Sequence, residues 1–226
     1  MLENIPKATK NLIIINVIVF VATLINQEFM VSKFALFYPA SPFFRPWQII
    51  THMFMHGGIW HIVFNMYALF MFGSVIERTI GEKKFLILYF VCGLGAVALH
   101  LGVQYIQAQT FMNGIADGSA TAAANYASLK MTPTLGASGA IYGLLITYAM
   151  LFPDARLSII FLPFTSMSSK TWIIIFAVIE LVTGITGTID GIAHFAHLGG
   201  MLFGWLLIRY WRKKGTLFND YTGYGY

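Results

Sequence analysis

Residues 134–153 read TLGASGAIYGLLITYAMLFP, and the shape of this stretch sets the class of the whole chain. From Ala137 to Phe152 it carries no charge, and it stops at Pro153, a residue that cannot continue a helix. Sixteen helical residues reach about 24 Å at a rise of about 1.5 Å each, less than the ~30 Å hydrocarbon core of a bilayer. A helix this apolar belongs in a membrane. One this short, reaching the inner surface, starts several ångströms below the outer one and sets Ser138 at the floor of a hollow open to water.

Five further apolar runs flank it, at residues 11–31, 57–76, 84–105, 171–187 and 192–211. Six spans in one all-α membrane bundle are therefore expected. Lys7 and Lys10 before the first run resemble the charged start of a signal peptide. The run continues past Phe20 to Phe29 with no small-residue cleavage site at a proper distance, so it reads as a retained helix. Residues 32–56 and the polar, Ala/Ser/Thr/Asn/Gln-rich residues 106–135 read as loops. The expected organisation is a segment 1–10, one domain 11–211 and a basic, then frayed tail 212–226, with no internal repeat.

Composition agrees. Of 226 residues 58% are hydrophobic and 10% charged, against about 25% charged in soluble domains. That excludes a disordered chain, a nucleic-acid-binding domain and a disulfide-stapled module, and the single Cys92 forms no internal bridge. With the N-terminus inside, eleven basic residues lie on inner segments: Lys7, Lys10, Arg78, Lys83, Lys84, Arg156, Lys170, Arg209, Arg212, Lys213 and Lys214. Three, Lys33, Arg45 and Lys130, lie outside. This is the asymmetry of the positive-inside rule, and it predicts both termini in the cytoplasm.

The polar residues that matter then share the outer face. His52, His56, His61, His194 and His197 fall near the outer ends of the second and sixth spans, and His100 lies in the third. Such histidines are costly in a bilayer and are either functional or tightly paired. His61 and Asn65, four apart, share a helical face. Ser138 begins a helix, where free backbone N–H groups favour a developing oxyanion. In the sixth span Ala193, His197, Gly200 and Gly204 form a small-residue face holding one imidazole. Packed on the small face of the fourth span, it would bring His197 to Ser138 as a general base. Each piece also has a structural reading. His61 and Asn65 serve as interhelical hydrogen-bonding groups, Gly139 and Gly143 as a close-packing pair, and His197 as a satisfied core histidine.

Taken in order, the motifs resemble the rhomboid family of intramembrane serine proteases, over about residues 11–211. Arg45-Pro46-Trp47 resembles the end of the family's first membrane-associated loop. His52, His56, His61 and Asn65 resemble its second-helix pattern, and Glu77-Arg78 with Gly81 the end of that helix. Gly136-Ala137-Ser138-Gly139 matches the nucleophile motif, with Tyr142 in the aromatic position. Ala196-His197-Leu198-Gly199-Gly200 matches the catalytic-histidine motif. The resemblance implies a Ser138–His197 dyad and an oxyanion hole from His61, Asn65 and the Ser138 N–H. It also implies that Tyr142 holds the His197 ring, with Gly136 and Gly139 in support, and that His52 and His56 structure the loop. No metal or cofactor is expected. The expected substrate is a single-pass membrane protein cut near the outer end of its helix, and the expected setting is the lipid bilayer of a bacterial plasma membrane. No nucleic-acid partner is expected, and oligomeric state has no signature here.

The family works without a third, acidic member. Asp190 is seven residues before His197, about 10 Å along a helix axis, and is expected at most to bond His194. Glu180, inside the fifth span, is expected to hydrogen-bond a neighbouring helix. Two rival readings differ in class. A metalloenzyme or transporter would use His52 and His56, spaced as a helical metal pair, but Met53 stands where a zinc protease carries its glutamate, and the paired broken halves of a transporter are missing. A rhomboid-like protein that binds membrane clients without cutting them would lack the serine or the histidine.

Overall fold

The computed structural model describes residues 4–159, 162–186 and 191–218. It opens with α1 (Lys7–Ile25), an apolar helix that buries Leu12, Asn16, Phe20 and Thr23 on one side. The opposite side leaves Ile14, Ile18, Val21 and Ile25 exposed. The expected run 11–31 breaks at Asn26, whose side chain accepts from the Phe29 N–H at 3.1 Å and so starts α2 (Gln27–Phe34). Asparagine is a poor helix-interior residue and a strong N-cap, which places the boundary there.

Residues 35–58 form a tight loop around the fully buried Gln48 at the head of α3 (Gln48–Thr51). The Gln48 amide oxygen accepts from Arg45 N at 3.0 Å, and its nitrogen donates to Phe43 O at 2.9 Å. A short 3-10 turn (His52–Phe54) leads on to α4 (Ile59–Ile80), which includes a π-helical turn at Leu69–Gly73. Next comes α5 (Glu82–Ala116), whose 35 residues extend about 52 Å, well beyond a bilayer core.

Here the sequence reading needs correction. Residues 106–135 are not an irregular loop. The chain continues helically to Ala116, turns through Gly118 at φ 82°, and returns as α6 (Ala120–Met131) with Ser119 capping Ala122 N at 3.2 Å. Tyr38, Ala108 and Leu129 pack at the base of this helical hairpin. Its composition is polar but alanine-rich, and alanine and glutamine favour helix regardless of hydropathy.

The chain is mostly helical, as expected of an all-α membrane protein, and after α7 (Ser138–Leu151) one short ribbon interrupts it. β1 (Arg156–Ile159) and β2 (Leu162–Ser168) pair antiparallel, with Arg156 opposite Ser168. The chain closes with α8 (Ser169–Thr186) and α9 (Gly191–Lys213). Among the described residues four helices, α1, α4, α5 and α8, are long and apolar enough to cross a membrane, and α7 is a shorter apolar helix.

Polar contacts tie the helix ends together at both ends of the bundle. At one end Arg78 bonds the Asn4 carbonyl, Lys7 faces Glu82 at 3.7 Å, and Arg212 donates to Met150 O at 2.5 Å. Glu77 is buried there, and its carboxylate accepts from Ala8 N (2.9 Å), Thr9 N (2.7 Å) and Thr9 Oγ1 (2.8 Å), so α4 caps the start of α1. At the other end Leu36 and Thr134 form a backbone bridge, and Gly136 N donates to His52 O at 3.0 Å. Phe85, Leu88, Tyr89, Cys92 and Leu144 fill the core between them.

Candidate active site

Ser138 is the first residue of α7, and the glycine two positions earlier sets its approach. Gly136 adopts φ 134°, a conformation that strains any L side chain. A Cβ there would lie 2.9 Å from His61 Nε2, so the His61 ring abuts the loop that delivers Ser138.

Glycine also sets the distance between α7 and α9. A Cβ on Gly200 would fall 1.8 Å from the Gly139 carbonyl oxygen, and one on Gly204 2.9 Å from that of Gly143. The two backbones touch along the small-residue faces expected from the sequence. Through this contact His197 Nε2 stands 2.9 Å from Ser138 Oγ. The Tyr142 ring, one turn after Ser138, stacks on the His197 imidazole with centroids 4.1 Å apart and planes within 7°.

On α4, His61 Nδ1 accepts a long bond from Gly57 N at 3.5 Å, which leaves Nε2 to carry the ring proton on the side of Gly136. Asn65 is buried, and its Nδ2 has no hydrogen-bond partner among the described residues. The other histidines are tied into the loop. His52 Nδ1 bonds Gln48 O at 2.8 Å, and His56 stacks edge-on against His61 with centroids 5.0 Å apart. Burial pushes both His52 and His56 down to about 4, with His100 adding to the effect on His52 and His61 to that on His56. His100 Nε2 meets Thr134 Oγ1 at 2.7 Å. A small cavity beside Ser138 and His197 is bordered by His52, His100, Thr134 and Ala193.

One participant was legible in the sequence only as an anomaly. Glu180 of α8 is buried and gathers three partners: the Tyr142 hydroxyl donates to it, His194 Nδ1 lies 2.5 Å from Oε2, and His197 Nδ1 lies 3.1 Å from Oε1. The expected bond to a neighbouring helix is thus made to two helices at once. A mid-span carboxylate was the available signal, because its cost demands partners; which partners depended on helix packing. Asp190, the other acid considered, lies outside the described residues. Glu180, His194 and His197 also offer atoms within 4.8 Å of one another, close enough to share a cation. His52 and His56, the pair a metal reading would use, are not in that group.

Comparison with known proteins identifies the family. The sequence profile of the Rhomboid domain matches residues 43–214, well over half of the chain. The chain belongs to the rhomboid family. It is 31% identical over 196 residues to the presenilin-associated rhomboid-like protein A, mitochondrial, of Danio rerio, covering 84% of this chain and 45% of that protein. It is 31% identical over 200 residues to RHOMBOID-like protein 12, mitochondrial, of Arabidopsis thaliana, covering 88% of this chain and 57% of that protein. A Mus musculus presenilin-associated rhomboid-like protein is 32% identical over 178 residues, 75% of this chain and 40% of that protein. The rhomboid chain described here thus spans about half the length of these relatives. It is a membrane protein, but the expected bacterial plasma membrane is not borne out: these relatives are mitochondrial by name.

Proposed function

We propose that this rhomboid is an intramembrane serine endopeptidase that cleaves single-pass transmembrane substrates through a Ser138–His197 dyad and an acyl-enzyme. The observation that carries the reading is the 2.9 Å approach of His197 Nε2 to Ser138 Oγ at the start of a helix. His197 takes the Ser138 proton at Nε2 as Oγ attacks the scissile carbonyl, then gives it to the leaving amine. Water repeats the sequence on the ester and frees the serine. The oxyanion is held by the Ser138 backbone N–H, His61 Nε2–H and Asn65 Nδ2, which has no partner among the described residues; these donors are fixed before the charge develops. Tyr142 keeps the imidazole in plane, and Gly136 and Gly139 permit the approach of His61 and α9. Six spans form one domain over residues 11–211, with both termini cytoplasmic as the basic residues imply, and this sets Ser138 below the outer surface.

The test is labelling of the detergent-solubilised protein by a fluorophosphonate, with Ser138→Ala and His197→Ala alongside. Labelling of the parent that vanishes in both variants, and survives EDTA, is the expected result. Persistent labelling of Ser138→Ala refutes the nucleophile. An unlabelled parent supports a protein that binds membrane clients without cutting them, and loss on chelation supports a metal at Glu180, His194 and His197.

A further inference from the structure

The carboxylate of Glu180 sits behind the imidazole that faces Ser138. Its side chain is 7% exposed, while its α8 neighbours Val178, Ile179, Leu181 and Val182 are exposed and apolar. A charge on the inner face of an otherwise lipid-compatible helix is retained only if it is compensated. Here the compensation consists of one tyrosine hydroxyl and two imidazoles.

The ring geometry assigns a direction. His197 Nε2 points at Ser138 Oγ, so Nδ1 carries the proton when Nε2 is free to accept one. Nδ1 lies 3.1 Å from Glu180 Oε1, with the oxygen off the N–H direction, so the contact is a charge beside the ring N–H rather than an in-plane hydrogen bond. Tyr142 and His194 hold the carboxylate from two other sides.

We infer that Glu180 is a positioning residue for His197, selecting its Nδ1–H tautomer and stabilising the imidazolium formed when the Ser138 proton reaches Nε2. The proton passes from Oγ to Nε2 and on to the leaving amine, and Glu180 stays ionised throughout. The inference rests on the serine-protease reading above and adds an acidic third participant to its dyad. The competing explanation is that Glu180 only ties α7, α8 and α9 together.

The experiment uses the full chain in detergent and follows the rate of fluorophosphonate inactivation in Glu180→Gln, Glu180→Asp and Glu180→Ala. A correctly shaped but uncharged partner is expected to slow the maximal inactivation rate at least about 100-fold, as loss of the acidic member does in soluble triads. The concentration giving half-maximal rate should stay unchanged. Asp should recover part of the rate, and added formate should partly rescue Ala. A Glu180→Gln rate within about threefold of the parent overturns the inference, and so do equal losses in Asp and Gln without formate rescue. A second measurement is independent of turnover. The ring nitrogen-15 resonances of His197, assigned by their loss in His197→Ala, should report a neutral ring protonated at Nδ1 in the parent and a mixture of tautomers in Glu180→Gln. An Nε2–H ring in the parent overturns the inference, even if the Gln and Ala variants fail to fold. Labelling that persists in Ser138→Ala removes the protease reading alone and leaves the Glu180–His197 contact to the resonances.

Discussion

Replacing Gly200 by alanine adds one methyl group at the point where α7 and α9 touch. The new Cβ would lie 1.8 Å from the Gly139 carbonyl oxygen and 2.8 Å from its carbon, both backbone atoms that no side-chain rotation can clear. Bringing that contact to about 3.0 Å, the closest a real Cβ approaches, separates the helices locally by about 1.2 Å. Ser138 is adjacent to Gly139 and His197 is three residues before Gly200, so the separation acts directly on the 2.9 Å Ser138–His197 contact. A misplacement of about 1 Å can cost about 100-fold in rate, and overpacking costs about 1–3 kcal/mol in stability. Fluorophosphonate inactivation and thermal unfolding in the same detergent read both effects. Gly204→Ala, whose Cβ meets the Gly143 oxygen at 2.9 Å and the Cys92 sulfur at 3.2 Å, should lose less of each. Gly102→Ala on α5, with nothing within 4 Å, should be neutral or stabilising by about 0.5–1 kcal/mol. Parental rate and stability in Gly200→Ala would refute the claim that bare backbone contact sets the distance between the two side chains.

Asn65→Ala is expected to lower turnover by about 100- to 1,000-fold with little change in unfolding temperature; unchanged turnover removes Asn65 from the oxyanion site. Glu77→Ala abolishes three hydrogen bonds to a buried carboxylate at the start of α1 and should destabilise the protein by about 3 kcal/mol or more, measured by thermal unfolding; a loss under about 1 kcal/mol would show that α1 is held by its apolar face alone. Because His52 and His56 are held neutral down to about 4 in the folded protein, against 6.5 ordinarily, their contribution is complete above pH 6.5 and is lost as pH falls toward 4. At pH 5 the loss should be about 2 kcal/mol for each histidine, and His56→Phe should flatten the dependence of unfolding temperature on pH.

The runs 11–31 and 137–152 were readable as apolar and helical because hydropathy over such lengths is a local property of the chain, although Asn26 divides the first of them into α1 and α2. So were the Gly136-Ala137-Ser138-Gly139 turn and the one-imidazole face of α9, since helical periodicity places residues four apart on one side without reference to any partner. Residues 106–135 misled for the same reason. Hydropathy identifies what lies in lipid, whereas the α5–α6 hairpin is stabilised by helix propensity, a serine cap and packing of Tyr38, Ala108 and Leu129. The β1–β2 pairing was hidden because a two-stranded ribbon of mixed polarity has no long-range period to detect.

What the sequence alone determined was the membrane class and the candidate pair Ser138 and His197. What only the tertiary structure decided was distance. The 2.9 Å between those two side chains arises from the closeness of two glycine-lined backbones, and the role inferred for Glu180 arises because α8 packs where Tyr142, His194 and His197 converge. A carboxylate is costly in lipid wherever it stands in the sequence. Which groups offset that cost is set by neighbouring helices, and no periodicity along one strand of chain encodes them.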